Sequence, residues 1–153
     1  MELSIVDLPE RTALIAEATC KHAELGEKIG ELFGLIASAN PDAEMVDAQC
    51  VIYRAWLPDE CDIEAVLPVR SDTVPQGGIK LRVYPAERAV MGTYVGHYRG
   101  LADAWREYWE EVSRCGFEVS GSPWDRYVTD PGDEPDPTNW VTELYVPVRV
   151  QKF

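Results

Sequence analysis

The chain has 153 residues, a length that fits one compact domain of roughly 100 to 200 residues and leaves little room for a second. Hydrophobic residues make up 46% and charged residues 27%, as in ordinary soluble globular proteins. Asp and Glu number 27 against 14 Lys and Arg, which gives a net charge of −13. This charge repels a phosphate backbone, so it argues against direct nucleic-acid binding, and it favours cationic ligands.

The four cysteines, Cys20, Cys50, Cys61 and Cys115, form no C-x-x-C pair, and with the two histidines they assemble no zinc-ligand spacing. We therefore expect reduced, mostly buried thiols, with no bound metal and no cofactor. The N-terminus lacks the basic residues of a secretory signal, and no apolar run approaches the roughly 18 residues of a membrane span. These features predict a cytoplasmic protein that does not bind a membrane.

In chain order, the first clear element is a helix that begins at Leu25. Its apolar residues recur at the i, i+4, i+7, i+8 and i+11 spacing of one buried helix face, and the pattern ends at Asn40-Pro41. An extended segment interrupted by Pro9 precedes this helix, and strands are predicted at 48–56 and 62–69. Residues 71–78 have the Ser, Pro and Gly content of a linker.

The second part of the chain repeats this order. A helix from Leu101 to Cys115-Gly116 has the same apolar spacing, an extended segment interrupted by Pro85 precedes it, and strands are predicted at 124–128 and 140–149. The matched blocks indicate a duplication, with repeat one at 1–70 and repeat two at 79–153. Each repeat is a strand-helix-strand-strand module of an α+β fold. Packing two such repeats together predicts a cleft between them, a preferred place for small-molecule sites.

The last predicted strand carries the leading site candidate. Because strand side chains alternate between faces, one face should pack on the helices and the other should carry Glu143 and Tyr145. The helix-facing set is Thr142, Leu144, Val146 and Val148. Glu143 then points either to water, as most glutamates do, or into the cleft, and the pattern alone favours water.

Several motifs of the second repeat resemble those of a known family. Tyr84-Pro85-Ala86-Glu87-Arg88, Gly96-His97-Tyr98 before Ala104-Trp105, Tyr127-Val128-Thr129-Asp130-Pro131-Gly132, and Thr142-Glu143-Leu144-Tyr145-Val146-Pro147-Val148 occur in the order of the GyrI-like small-molecule-binding domain. That family includes the effector-binding domains of AraC-type and MerR-type multidrug regulators. The resemblance covers essentially the whole chain and implies a single domain over 1–153. One departure is His97, where many relatives have proline.

The resemblance implies a curved antiparallel sheet with two helices and a central ligand cleft that binds bulky lipophilic, often cationic compounds. The glutamate of the family's last-strand segment falls on Glu143, so the resemblance favours a ligand-facing role for this residue. Tyr145 shares its face and is the first candidate for an aromatic wall. The other wall candidates lie on strands or strand ends and are Tyr53, Trp56, Tyr127 and Trp140.

Three further expectations concern aromatic and acidic residues. Tyr53 and Trp56 have opposite parity, so without a bulge only one of them should face the cleft. Trp105, Tyr108 and Trp109 keep helical core spacing and are expected in the core. Glu64, the first-repeat counterpart of Glu143, is either a second cleft acid or solvated, and we expect it to be solvated.

Three functions remain open. The first is a stand-alone binding protein for lipophilic, multidrug-type cations, with Glu143 as counter-ion. The second is a hydrolase, because some members of the family it resembles open cyclopropane rings of cytotoxic compounds, and Glu143 would then be the general base. The third is a protein-interaction module such as a topoisomerase modulator. The sequence shows no helix-turn-helix segment, which predicts a stand-alone domain, and no nucleophile signature accompanies His22 or His97, so a catalytic triad is not indicated. We rank the three functions in the order given, with the binding protein first.

Overall fold

The structure, a computed structural model, describes residues 1–149. These residues form eight β-strands and two α-helices. In chain order they are β1 Leu3–Leu8, β2 Arg11–Lys21, α1 Leu25–Ala39, β3 Cys50–Trp56, β4 Glu60–Pro68, β5 Lys80–Tyr84, β6 Glu87–Val95, α2 Leu101–Cys115, β7 Trp124–Tyr127 and β8 Val141–Pro147. The duplicated order of an α+β fold is confirmed. Each predicted strand after a helix lies within two residues of its observed bounds.

Both helices end at the residues that the sequence indicates. After α1, the backbone N–H of Asn40 donates to the carbonyl of Ile36 at 3.0 Å. After α2, Gly116 takes the left-handed conformation with φ 74°, which glycine adopts without the steric cost of a side chain. A short 3₁₀ helix precedes each α-helix, at His22–Glu24 and at Tyr98–Gly100. The two repeats therefore begin their helices in the same way.

The chain divides into two compact units, one of which is built from two parts of the sequence. The continuous unit is Pro9–Ala86, with strand order β3-β4-β2-β5 and helix α1. The discontinuous unit joins Met1–Leu8 to residues 87–149, with strand order β1-β6-β8-β7 and helix α2. All the strand pairs within each unit are antiparallel.

The first strand of each repeat pairs with a strand of the other repeat. In the discontinuous unit β1 pairs with β6, and in the continuous unit β5 pairs with β2. Pro9 and Pro85 lie between the consecutive strands at these points, where a residue without an N–H interrupts the ladder. The cleft predicted between the repeats stays a prediction.

The core of the discontinuous unit lies between α2 and one face of its sheet. The residues buried there are Val90, Ala104, Tyr108, Val112, Leu144, Val146 and Val148. Tyr108 is fully buried and donates its hydroxyl to the carbonyl of Val90 at 2.6 Å. Trp105 and Trp109 pack partly buried against the same core. The predicted packing of the helix residues, and of the aliphatic face of β8, is confirmed.

The continuous unit contains a bulge that changes the expected alternation of β3. Tyr53 pairs with Ile63 but Ala55 pairs with Asp62, so Arg54 is the extra residue. A bulge of this kind re-aims the side chains that follow it. As a result Tyr53 and Trp56, despite their opposite parity, contact each other with ring centroids 6.1 Å apart.

The thiols are mostly buried, as predicted. Cys20, Cys50 and Cys61 are buried, and Cys115 at the end of α2 is exposed. Neither helix in residues 1–149 combines the length and the apolar character that a membrane span requires.

Candidate ligand-binding site

Glu143 on β8 lies directly opposite Arg126 on β7. Arg126 Nε donates to Glu143 Oε1 at 2.7 Å, and Arg126 Nη2 donates to the Tyr145 hydroxyl at 2.9 Å. The Tyr145 hydroxyl in turn donates to Glu143 Oε1 at 3.0 Å. Glu143 and Tyr145 therefore share a sheet face, as alternation predicts. The carboxylate that the family resemblance assigns to a ligand cation already has a cationic partner within the protein.

Tyr145 is part of a closed stack. Its side chain is 1% exposed, and its ring lies parallel to that of Trp124 with centroids 4.0 Å apart. The guanidinium of Arg126 lies 5.6 Å from the Tyr145 ring centroid. The side chains of Glu143 and Arg126 are 17% and 23% exposed. A ligand that approaches this face would thus meet the ion pair before the ring of Tyr145.

The counterpart acid in the continuous unit is buried, and the expectation of a solvated Glu64 is wrong. Glu64 is 1% exposed, and both Arg82 Nη1 and the Tyr84 hydroxyl donate to its carboxylate. Arg54 Nη1 lies 3.6 Å from Glu64 Oε1. Glu17, which faces Glu64 across β2 and β4, lies 3.2 Å from each of the two guanidinium groups. The reason is the pairing of β5 with β2, which brings Arg82 and Tyr84 to this acid.

Charge and burial hold Tyr84 in its neutral form. Burial above all, followed by the hydrogen bond to Glu64 and the charge of that carboxylate, raises the pKa of Tyr84 far above its usual value. The tyrosine therefore acts as a hydrogen-bond donor at any physiological pH. The acid of the first repeat is satisfied within the protein by two arginines and one phenol.

A separate aromatic cluster lies at the start of α2. Trp140 stacks on His97 with centroids 5.4 Å apart and lies 4.8 Å from Tyr98. Tyr98 meets Tyr127 edge-on at 5.5 Å. All four rings are partly exposed. Trp140 Nε1 donates to the carbonyl of Glu134 at 2.8 Å, which fixes the indole to the loop after β7.

Two carboxylates, those of Asp125 and Asp130, interact electrostatically with Tyr98 of this aromatic cluster. Asp125 is fully buried and precedes Tyr127 by two residues on β7, so the two side chains share a sheet face. Asp130 lies in the exposed loop that follows. Burial, together with the charges of Asp130 and Asp125, raises the pKa of Tyr98, which stays neutral. Partly exposed aromatic faces beside negative charge are a suitable environment for an organic cation.

The structure brings Tyr127 and Trp140 together, but not beside Glu143. Tyr127 pairs with Thr142, whereas Glu143 pairs with Arg126, so the two sets lie on opposite faces of the sheet. The sequence alone does not separate Tyr127 and Trp140 from Glu143, because alternation assigns side chains to the two faces of β8 but does not relate them to the faces of β7.

Sequence reasoning also missed Asp125. The alternation of Trp124–Tyr127 would have found it, because it places Asp125 with Tyr127 and apart from Arg126. The signal is weak, because β7 has only four residues and Tyr127 is the one other residue of this strand on the face of Asp125.

The continuous unit has a related aromatic group at the start of α1. Trp56 stacks on His22 with centroids 4.2 Å apart, and Tyr53 meets Trp56 edge-on. The strand position that corresponds to Asp125 is Val51, since Val51 pairs with Ala65 as Asp125 pairs with Leu144. The repeats therefore differ at this position, where one has an acid and the other an aliphatic residue. Within residues 1–149, no three His, Cys, Asp or Glu side chains are grouped to hold a metal ion.

Comparison with known proteins assigns the family of this fold. The sequence profile of the GyrI-like small molecule binding domain matches residues 1–149. The chain belongs to the GyrI-like family. A search of curated proteins finds no match.

Solved structures share this fold at low sequence identity. EcmrR in its complex with DNA superposes with a TM-score of 0.85 at 21% identity, over 98% of this chain and 58% of that chain. The EcmrR C-terminal domain alone gives 0.80 at 22% identity, over 98% of both chains. SAV2435 bound to tetraphenylphosphonium gives 0.76 at 10%, over 97% and 94%. A hydrolase encoded by lin2189 from Listeria innocua gives 0.67 at 13%, over 97% and 92%.

Proposed function

We propose that this domain binds lipophilic organic cations in the discontinuous unit, at the aromatic cluster beside Asp125 and Asp130. The observation that carries the proposal is the meeting of three partly exposed rings, those of Tyr98, Tyr127 and Trp140, next to two carboxylates. Flat aromatic faces and a nearby charge impose few directional constraints, which suits a broad, multidrug-type range of ligands.

The energetics of such a site favour a cation with little hydration of its own. An aromatic face contributes about 0.5 to 2 kcal/mol to a bound cation. A carboxylate about 6 Å away, at an effective dielectric near 20, attracts it by about 3 kcal/mol before desolvation is subtracted. Asp125 is fully buried, so solvent screens its charge little. Membership of the GyrI-like family supports this chemistry, as does SAV2435, whose bound tetraphenylphosphonium is a lipophilic cation.

Glu143 remains the alternative counter-ion. Its Oε1 accepts hydrogen bonds from Arg126 and Tyr145, so a ligand cation has to compete with a guanidinium that is permanently charged. The partly exposed rings beside Asp125 and Asp130 are the reason for placing the ligand at that cluster. A hydrolase with Glu143 as general base faces the same constraint, because an attacking water would have to be held by Oε2.

The test compares two ligands of similar shape by isothermal titration calorimetry, namely methyltriphenylphosphonium and the neutral triphenylphosphine oxide. We expect the cation to bind at least about 10-fold more tightly, equivalent to about 1.4 kcal/mol. Equal affinity for the two compounds would contradict a counter-charge in the site. Triphenylphosphine oxide carries no net charge, so its affinity reports stacking and burial without the attraction between a cation and the site.

A cytoplasmic location stays a prediction.

Three variants, each with one negative charge less, locate the site. Asp125→Asn should weaken the cation most, whereas Glu143→Gln should have a smaller effect. Asp7→Asn is the control, because Asp7 is exposed on β1, which β6 and β8 separate from β7. A larger loss in Glu143→Gln than in Asp125→Asn would move the site to the face of the Arg126–Glu143 pair. A thermal melt of each variant checks that the fold is retained.

A further inference from the structure

We propose that Cys20 and Cys61 are a redox pair that a hydroperoxide converts to a disulfide, a modification site separate from the ligand site. Cys20 on β2 lies directly opposite Cys61 on β4 in the antiparallel register. Their Sγ atoms are 3.9 Å apart, and the two residues are 41 positions apart in the chain. The bond would therefore fasten two neighbouring strands of the continuous unit to each other.

The strand geometry is close to what a disulfide requires. Side chains directly opposite in an antiparallel pair have Cβ atoms about 4.5 to 5.5 Å apart, and a disulfide needs about 3.5 to 4.5 Å. A rotation of the two side chains and a small approach of the strands is sufficient. Both residues already point to the same face of the sheet, because they are cross-strand partners.

The surroundings of the pair select the oxidant. Cys20 is 6% exposed and Cys61 is 0% exposed. On the neighbouring strand β3, the residue paired with Cys61 is Trp56. The Trp56 ring is stacked on His22. A large disulfide such as oxidised glutathione has little access to sulfurs buried to this degree. Hydrogen peroxide, which is close to water in size, is the class of oxidant that fits.

The reaction proceeds in two balanced steps. The sulfur of Cys20, which keeps the small exposed fraction, attacks one oxygen of hydrogen peroxide. The O–O bond breaks, and Cys20 sulfenic acid and one water form. The sulfur of Cys61 then attacks the Cys20 sulfur. The S–S bond forms, the S–O bond breaks, and the hydroxyl leaves with the proton of the Cys61 thiol as a second water. Two thiols are oxidised by two electrons and one peroxide is reduced.

In the step that forms the disulfide, the attacking group at neutral pH is the protonated thiol of Cys61. Burial first, and then the adjacent Cys20, raises the pKa of Cys61 to about 11. Since the thiolate is the stronger nucleophile, the oxidation should be slow at pH 7 and faster at pH 9. A pair that reacts slowly responds to sustained peroxide rather than to brief exposure.

The experiment uses the full chain with Cys115→Ser, which removes the exposed thiol. The protein is treated with hydrogen peroxide, denatured in N-ethylmaleimide, and examined by intact mass and peptide mapping. We expect one N-ethylmaleimide adduct where the untreated protein takes three, and a mass about 2 Da below that of a singly alkylated chain with two free thiols. We also expect a cross-linked pair of peptides containing Cys20 and Cys61, and reversal by dithiothreitol. Cys50, which is also buried and remains in the protein, should still react with N-ethylmaleimide and serves as the internal control.

Several outcomes would overturn the proposal. They are sulfinic acid at Cys20 with Cys61 still a thiol, a disulfide that includes Cys50, or no oxidation after peroxide has fully oxidised Cys115 of the wild-type chain. The same mixture of disulfides from folded and from guanidinium-denatured protein would also contradict it, because native geometry would then play no part. In Cys61→Ser, oxidation should stop at a sulfenic acid on Cys20 that dimedone traps, a readout that a merely structural role would not give.

Discussion

Replacing Arg82 by methionine removes one of the two guanidinium charges that face buried Glu64 and keeps a side chain of similar length. Arg82 donates to Glu64 through Nη1 and to Glu17 through Nη2 at 3.2 Å. Removing one partner of a buried ion pair costs about 3 to 5 kcal/mol. Arg54, 3.6 Å from Glu64, and the Tyr84 hydroxyl still face the carboxylate, so we expect a loss of about 2 to 4 kcal/mol. This corresponds to a fall in Tm of roughly 5 to 15 °C.

Urea unfolding followed by circular dichroism measures this loss. Arg70→Met is the matched control in the same unit, because Arg70 and Asp72 are paired at 3.2 Å with side chains 62% and 70% exposed. An exposed pair contributes about 0 to 1 kcal/mol. The double variant Arg82→Met, Glu64→Met should recover part of the stability, since no buried charge is left without its partner. Equal small losses in Arg82→Met and Arg70→Met would refute the reasoning.

Three further predictions concern stability. The unfolding free energy should fall above pH 9, because folding raises the pKa of Cys61 from 9.0 to about 11. The stability that the protonated Cys61 thiol contributes is complete below pH 9 and is lost as the pH rises through 11. Urea titrations of Cys61→Ala at these pH values should not show this loss. Tyr108→Phe should cost about 0.5 to 1.5 kcal/mol in thermal unfolding, since it removes the buried hydroxyl that donates to the carbonyl of Val90. No measurable loss would contradict this. Gly116→Ala should destabilise the fold by about 1 kcal/mol, because Gly116 has a left-handed backbone conformation. Gly30→Ala should stabilise the fold, because Gly30 lies inside α1 with open space at its Cβ position. If urea unfolding gave the same sign for both variants, the backbone argument would be wrong.

The local elements could be predicted from the sequence because their signals are local. The apolar period of α1 and α2, the glycine after Cys115 and the alternation along β8 each report on a few neighbouring residues. The partners of the strands could not be predicted, because pairing β1 with β6 and β5 with β2 joins residues far apart in the chain. The pairing of β5 with β2 explains why Glu64 is buried and hydrogen-bonded, since Arg82 and Tyr84 reach it from β5.

The neighbours of the candidate site residues depend on the same long-range pairing. The sequence indicates Tyr127 and Trp140 as candidate wall residues, and in the structure both contact Tyr98; their contact with a ligand stays a prediction. Nothing in the sequence indicates that Arg126 faces Glu143, because that contact depends on the register of β7 against β8. Asp125 is not marked by a periodic pattern, because its strand has only four residues. In each case the missing information was the cross-strand neighbour.

A crystal structure of the protein with methyltriphenylphosphonium tests the central claim most directly, because it shows which acid and which rings surround the cation. We predict that the ligand contacts Tyr98, Tyr127 and Trp140 on the sheet face that carries Asp125, with the pair between Arg126 and Glu143 intact. A ligand bound against Glu143 with Arg126 displaced would contradict this placement and restore Glu143 as the counter-ion. A ligand in contact with neither carboxylate would contradict the role of charge in the site.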